Sequence, residues 1–166
     1  MKLVVFSICH NEATTIGELI DRIPRQYVGI DEVDIYVIND GSTDDTASIA
    51  ESHGATVIRG NSQMRLARRF EQAVEVALAA GADIAANIDG DLQFEPGELP
   101  RLIEPILAGR ADFAAGDRFT ASNGKGRPAG MPKGKYLGNR LGARVVSSLS
   151  DGDFVYVTCG YRAYSR

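Results

Sequence analysis

Two aspartates, Asp89 and Asp91, follow an apolar stretch that ends at Ile88. Alternate carboxylates at a strand end can converge on one cation where the backbone turns, and Gly90 permits such a turn. Mg²⁺ and Mn²⁺ prefer carboxylate oxygens together with the phosphates of a substrate. We therefore predict a metal site formed by the two aspartates with an amide oxygen from Gln93. The alternative is purely structural, with a turn at Asp89 and a helix cap at Asp91.

A second acidic segment, N-D-G-S-T-D-D-T, occupies residues 39–46. The polar residues at 42–44 are natural helix caps and Gly41 is a natural turn residue, so a structural role accounts for much of the segment. Asp40 precedes the caps and is not required by them. Its carboxylate is suited to accept hydrogen bonds from a nucleobase or a ribose, and we predict a nucleotide contact there.

A third polar cluster, His10-Asn11-Glu12, follows the first apolar run of the chain. His10 is equally compatible with core filling and with ligand contact. Glu12 near a helix start is most simply explained by its favourable interaction with the helix dipole. The position of the cluster supports a ligand-binding role, because it is the third set of polar residues that follows an apolar run.

The elements that must position these clusters are short apolar runs that alternate with amphipathic stretches. Strands are predicted over residues 3–8, 33–38, 55–58, 84–88, 113–116 and 154–157. Helices are predicted over residues 16–23, 44–53, 66–80, 99–107 and 137–149. This alternation is typical of an α/β protein with a mostly parallel sheet covered by helices on both faces. Ligands of such sheets bind at the carboxyl ends of the strands, where the three polar clusters lie.

The segment from Thr120 to Lys135 is rich in Gly, Pro, Lys and Ser and has no periodicity. We predict a long loop there, and a loop of this length suggests function rather than mere connection. Its basic residues, together with Arg140, are candidates to bind an anionic ligand. The alternative is a solvated basic loop.

The composition bounds the class of protein. The chain has 166 residues, 44% hydrophobic and 24% charged, which fits one globular domain. A net charge of −4 argues against a nucleic-acid partner. Cys9 and Cys159 are too few for a disulfide scaffold, so we expect reduced thiols and a cytosolic setting. The sequence has no run of about 18 apolar residues, so any membrane contact is expected to be peripheral.

Five stretches of the chain together resemble family 2 glycosyltransferases of the nucleotide-diphospho-sugar fold. The resemblance is strongest to the polyprenyl-phosphate, dolichyl-phosphate mannose synthase-like branch. The stretches are I-C-H-N-E at 8–12, V-I-N-D-G-S-T-D-D-T at 37–46, G-A-D-I-A-A-N-I-D-G-D-L-Q-F at 81–94, G-R-A-D-F-A-A-G-D-R-F at 109–119 and T-C-G-Y-R-A-Y-S-R at 158–166. The resemblance implies a Rossmann-like three-layer sandwich of the GT-A type. It also implies one catalytic domain over residues 1–166, truncated at its C-terminal end.

The resemblance assigns roles to individual residues. The expected nucleotide contacts are Ile8, His10, Glu12, Ile38, Asp40, Asp89 and Gly90. The expected ligands of Mg²⁺ or Mn²⁺ are Asp89, Asp91 and Gln93. Asp91 and Arg118 are expected to act in catalysis, with Arg118 near the donor phosphates. Arg162 matches the arginine of the family's G-F-R segment and is an expected acceptor contact. Arg127, Lys133 and Lys135 are further expected acceptor contacts because of the positive charge of the predicted basic loop.

The chain departs from the family pattern at several positions. Ile8 and His10 replace the usual proline and tyrosine, and the segment 61–65 replaces a glycine-rich stretch. Tyr156 stands where an aspartate commonly precedes the G-F-R glycine, here Gly160. Tyrosine is a poor general base because its pKa is about 10. A lipid phosphate is already an anion and needs no base, so the departure favours a polyprenyl-phosphate acceptor.

The expected reaction is inverting transfer of a sugar from a GDP- or UDP-sugar to polyprenyl phosphate. Transfer to a saccharide hydroxyl of a glycan is the alternative within the same class. A magnesium-dependent phosphatase with an aspartate nucleophile and a non-catalytic nucleotide-binding module are alternatives of other classes. A dehydrogenase is disfavoured because no G-x-G-x-x-G follows a predicted strand.

Overall fold

A computed structural model describes residues 1–117, 131–149 and 159–166 of the chain. These residues divide between two compact units. The larger unit comprises residues 1–114 and 161–166, and the smaller comprises residues 115–160.

Strands and helices alternate along the described residues as the sequence predicts. The strands are β1 (Lys2–Cys9), β2 (Glu32–Asn39), β3 (Thr56–Arg59), β4 (Ile84–Asn87), β5 (Phe113–Ala115) and β6 (Arg162–Ser165). The helices are α1 (Ile16–Arg22), α2 (Thr46–Ser52), α3 (Leu66–Ala79), α4 (Leu99–Leu107) and α5 (Lys133–Leu149). A short 3₁₀ helix, Pro96–Glu98, precedes α4.

The described strands form one mostly parallel sheet in the order β3-β2-β1-β4-β6-β5. β1 pairs in parallel with β2 and β4, and β4 pairs antiparallel with β6. Leu3 through Phe6 of β1 have no exposed surface, which requires cover on both faces of the central strand. On one of these faces, Ala73 and Ala77 of α3 pack in clusters with alternate residues of β1, namely Phe6 and Val4. The predicted α/β fold is therefore confirmed.

Three details of the sequence prediction differ from the structure or lie outside the described residues. The predicted loop ends too late, because α5 begins at Lys133 and its first turn includes both Lys133 and Lys135. The predicted strand over 154–157 lies outside the described residues, whereas β6 was not predicted. β6 has only four residues, of which only Ala163 is buried, so it lacks the apolar run by which the other strands are recognised.

Among the residues that the structure describes, no helix is long and apolar enough to cross a bilayer. α5 is the longest of the described helices, with 17 residues, and belongs to the smaller unit.

Candidate functional site

The register of the sheet brings the three polar clusters to one edge. Cys9, the last residue of β1, lies opposite Asn39, the last residue of β2. On the other side of β1, Phe6 lies opposite Asn87, and the amide of Ile88 donates to the carbonyl of Phe6 at 3.1 Å. The segments that follow β1, β2 and β4 therefore begin side by side at the carboxyl ends of three adjacent parallel strands, where α/β proteins bind ligands.

Asp40 is held at this edge by backbone and side-chain contacts. It is 6% exposed, and its amide donates to the carbonyl of Cys9 at 2.8 Å. Its Oδ1 accepts two hydrogen bonds, from Arg69 Nε at 2.6 Å and from the amide of Met64 at 2.8 Å. The second carboxylate oxygen, Oδ2, accepts no hydrogen bond from the described residues, so one oxygen is fixed and the other is left for a ligand.

Arg69 of α3 is the partner that sequence analysis missed. Its side chain is 5% exposed, and the side chain of its ion-pair partner Asp40 is 9% exposed. Its remaining nitrogens donate to the carbonyl of Ser62 at 2.7 Å and to Gln72 Oε1 at 2.9 Å. All of its guanidinium nitrogens are therefore engaged, as a buried charge requires.

Two glycines make room for this arrangement. A Cβ on Gly60 would lie 2.0 Å from Arg69 Nη2, and a Cβ on Gly41 would lie 2.6 Å from the carbonyl carbon of Ser62. Gly41 also adopts a φ of +68°, so both space and conformation require glycine there. The segment 61–65 is thus packed against the loop after β2 and held by Arg69.

His10 and Asn11 connect the loop after β1 to the loop after β2. His10 Nδ1 donates to the carbonyl of Asp40 at 2.9 Å, which fixes the proton on that nitrogen. Asn11 adopts a φ of +57°, its amide donates to Ser42 Oγ at 3.0 Å, and its Oδ1 accepts from the amide of Thr43 at 2.9 Å. Histidine here holds the backbone of Asp40 in place.

The next two amides extend this connection to Asp44 and Thr46. The amide of Glu12 donates to Thr46 Oγ1 at 2.8 Å, and the amide of Ala13 donates to Asp44 Oδ2 at 3.1 Å. Asp44 Oδ1 accepts from the amide of Thr46 at 3.1 Å, so the expected capping role is present in part. The Thr46 hydroxyl, which donates to Asp44, is the main cause that lowers the pKa of the Asp44 carboxyl. Structural hydrogen bonds therefore engage Ser42, Thr43, Asp44 and Thr46. Asp40 is left as the ligand candidate of the segment 39–46.

The turn between Asp89 and Asp91 is packed closely against the end of β1. A Cβ on Gly90 would lie 2.8 Å from Cys9 Sγ and 3.3 Å from Glu12 Cγ. Close approach, rather than an unusual φ, is the reason for glycine, because the left-handed residue of this turn is Leu92 with a φ of +56°. A leucine in that region is strained by about 1–2 kcal/mol, a cost that is typical of functional turns.

The pKa of the Cys9 thiol is affected by the carboxylates at this edge. Burial is the main cause that raises the pKa of its thiol to about 12, and the Ser7 hydroxyl opposes the shift. The carboxylates of Glu12, Asp89 and Asp91 raise it further. Three carboxylates therefore lie close enough to the thiol to raise its pKa, and a divalent cation beside them would offset their negative charge.

The aspartates of the turn provide oxygen ligands of the kind that hard cations prefer. Asp91 Oδ1 accepts from the amide of Gln93 at 3.0 Å, while Oδ2 has no partner among the described residues. Asp89 and Asp91 are half-buried, and Gln93 is exposed. The described part of the chain contains no group of three or more His, Cys, Asp or Glu side chains arranged to hold a metal ion. A cation bound by two carboxylates and a diphosphate needs fewer protein ligands, and this site stays a prediction.

The other candidates lie in different environments. Ile38 is fully buried in the cluster of Phe6 and Ala73, and Ile8 packs against that cluster while half-exposed. Arg162, at the start of β6, lies opposite Asn87 at the carboxyl end of β4. Lys133 and Lys135 are exposed in the smaller unit, and the positions of Arg118, Arg127 and Tyr156 lie outside the described residues.

Comparison with known proteins was made for both sequence and fold. The sequence model of glycosyl transferase family 2 matches residues 4–165 of the chain. Glycosyltransferase AglJ of Haloferax volcanii is 31% identical over 157 residues, which are 95% of this chain and 48% of that protein. Undecaprenyl-phosphate mannosyltransferase of Micrococcus luteus is 26% identical over 155 residues, which are 90% of this chain and 59% of that protein. The chain thus spans about half of these relatives.

A solved structure has the same fold. It is glucosyl-3-phosphoglycerate synthase of Mycobacterium tuberculosis in complex with Mn²⁺, UDP-glucose and phosphoglyceric acid. The TM-score is 0.67 at 26% sequence identity, over 99% of this chain and 56% of that one. A distant relative of this chain therefore binds a divalent cation together with a sugar nucleotide.

Proposed function

Because the chain belongs to glycosyltransferase family 2, we propose that it binds a nucleotide-diphospho-sugar at the carboxyl ends of β1, β2 and β4. The observation that carries the proposal is the state of Asp40. One carboxylate oxygen is held by Arg69 and Met64, and the other has no partner among the described residues. A carboxylate fixed in this way is preorganised to accept hydrogen bonds from a nucleobase or a ribose, so little ordering is needed on binding.

The diphosphate of the donor would lie beside Asp89 and Asp91, which are next to β1 on the side opposite Asp40. These carboxylates, with Gln93, would hold Mg²⁺ or Mn²⁺ together with the phosphate oxygens. When bound, the cation supplies the positive charge that stabilises a departing nucleoside diphosphate. The complex of the mycobacterial relative with Mn²⁺ and UDP-glucose supports this arrangement and favours a UDP-sugar among the donors.

We further propose that the acceptor is a polyprenyl phosphate. A phosphate oxygen of the lipid would attack the anomeric carbon in line with the bond from that carbon to the diphosphate. This bond breaks, the nucleoside diphosphate leaves with the bonding electron pair, and the configuration at the anomeric carbon is inverted. The nucleophile is already ionised at neutral pH, so no side chain has to remove a proton. Arg162 supports this route, because β6 begins beside the carboxyl end of β4 and its guanidinium carries positive charge there. By resemblance, Arg118 would stabilise the leaving group. The positive charges of Arg127, Lys133 and Lys135 make these residues further predicted acceptor contacts.

Similarity to the undecaprenyl-phosphate mannosyltransferase supports a lipid acceptor, and a saccharide hydroxyl is the second candidate. The two are separated by a transfer assay with labelled UDP- and GDP-sugars and Mn²⁺, offered either undecaprenyl phosphate or an oligosaccharide. We expect labelled lipid, and we expect Arg162→Gln to raise the KM for the lipid with donor affinity unchanged. Arg101→Gln, an exposed arginine of α4, is the matched control. Transfer to the oligosaccharide alone would overturn the lipid assignment and leave the nucleotide site standing.

A further inference from the structure

α5 presents an apolar stripe to solvent. Its members are Leu137, Leu141, Val145 and Leu149, and they are 70%, 63%, 49% and 83% exposed. Residues four apart advance by about 40° around a helix, so the stripe covers a sector of about 120°. The buried residues of α5, Asn139 and Ala143, lie on the opposite side of the helix. The most apolar face of α5 is thus its exposed face.

Cations border this stripe on both sides. Lys133, Arg140 and Arg144 fall within about 60° of Leu137 on one side, and Lys135 falls about 40° beyond Leu149 on the other. α5 contains no Asp or Glu. None of these four cations forms an ion pair with a described residue, although Arg140 donates to the hydroxyl of Tyr136 at 3.2 Å. Among the described residues, these four positive charges around the exposed apolar sector have no anionic partner, in a chain whose net charge is −4.

We propose that α5 docks the protein on the surface of an anionic membrane. An amphipathic helix with leucines on one face and Lys and Arg along its borders lies in the plane of the lipid headgroups. The leucines would enter the boundary between headgroups and acyl chains, and the cations would reach lipid phosphates with their long side chains. The helix would lie on the bilayer and not span it.

The charge of α5 favours a lipid surface over a second copy of this chain. A symmetric pairing of two stripes would bring eight cations together with no anion on either helix, and like charges at short range repel. An anionic bilayer would take up the exposed apolar side chains of α5, and its lipid phosphates would neutralise the four cations. The docking does not depend on the proposed sugar transfer, although it would hold the protein where a polyprenyl phosphate is found.

The test is co-sedimentation of the 166-residue chain with vesicles of phosphatidylcholine alone or mixed with phosphatidylglycerol. We expect binding to the mixed vesicles, little binding to the neutral ones, and release by salt. Each Lys or Arg near the surface strengthens such binding about fivefold, so Lys133→Gln with Lys135→Gln should weaken it about 25-fold. Leu141→Gln should weaken it at least about tenfold, because the leucine no longer leaves water.

Matched controls distinguish docking through α5 from nonspecific binding of the protein to vesicles. Val28→Gln changes an apolar residue that is 96% exposed elsewhere, and Arg25→Gln with Arg101→Gln removes two exposed charges outside α5. Both control proteins should bind the mixed vesicles like the wild type. Equal binding to neutral and anionic vesicles, or equal losses in the α5 and control variants, would overturn the proposal. A dimer that forms in the absence of lipid and dissociates in the Leu141→Gln variant would also overturn the proposal. Affinity for UDP with Mn²⁺, measured on the same samples, tests the nucleotide site separately.

Discussion

Replacing Arg69 by methionine removes one half of the buried ion pair with Asp40. Methionine retains much of the apolar stem but none of the donors, so Asp40 Oδ1 keeps only the amide of Met64. The carbonyl of Ser62 also loses its donor at 2.7 Å. Breaking a buried pair by removing one partner typically costs about 3–5 kcal/mol, because the charge left behind is uncompensated.

The expected loss in the free energy of unfolding is therefore about 3–5 kcal/mol, measured by urea denaturation at pH 7. Native domains are stable by only about 5–15 kcal/mol, so the midpoint should fall markedly. Arg68→Met is the matched control, since Arg68 is exposed in the same turn of α3 and forms no ion pair with a described residue. Its effect should stay within about 0.5 kcal/mol.

A double substitution identifies the physical cause. Asp40→Asn with Arg69→Met removes the uncompensated charge, so the double variant should be more stable than Arg69→Met alone. Arg69→Lys keeps a positive charge without the planar fork that reaches Asp40, Ser62 and Gln72, and it should weaken nucleotide binding even where the protein stays folded. If Arg69→Met were as stable as Arg68→Met, the ion pair would not hold Asp40 and the reasoning would fail.

Three further predictions concern the turn after β4 and the buried thiol beside it. Gly90→Ala places a Cβ 2.8 Å from Cys9 Sγ, so we expect a loss of about 1–3 kcal/mol in the free energy of unfolding. Mn²⁺-dependent UDP binding should also weaken, and Gly97→Ala is the control with a milder expected effect. Asp91→Ala should abolish the Mn²⁺ dependence of UDP binding at unchanged thermal midpoint, and persistence of that dependence would refute the metal assignment. Folding raises the pKa of Cys9 from 9.0 to about 12, so the neutral thiol stabilises the native state below pH 9 and this contribution is lost as pH rises towards 12. Urea midpoints at pH 7 and 10 should therefore fall less in Cys9→Ala than in the wild type.

The strands β1 to β4 and their order along the chain could be predicted because the parallel strands of such a sheet are short apolar runs. The three polar clusters could be placed at one edge for the same reason, since every parallel strand ends there. The resemblance to family 2 glycosyltransferases extended this prediction, and the family model confirms it over residues 4–165. The roles of single residues remain predictions.

Contacts between distant segments could not be predicted from the sequence. Arg69 is buried by a partner 29 residues away, and its one local signal is a charge within the apolar face of α3, three residues after Leu66 and four before Ala73. β6 is recognisable only from its pairing with β4. From the sequence, Gly90 is explained by the turn that glycine permits, whereas in the structure the close approach of Cys9 requires it. That approach depends on the register of β1 and β4, which the sequence does not give.

The central claim is that a sugar nucleotide binds through Asp40 and through a cation held at Asp89 and Asp91. Calorimetric titration of UDP-glucose with and without Mn²⁺ tests it most directly, together with titration of uridine alone. Asp40→Asn should weaken the binding of both uridine and UDP-glucose, whereas Asp91→Ala should weaken only the Mn²⁺-dependent binding of UDP-glucose. Asp45→Asn, an exposed aspartate without a side-chain cap hydrogen bond, should change neither. Equal affinities of the Asp40→Asn and Asp45→Asn proteins for both ligands would contradict the account.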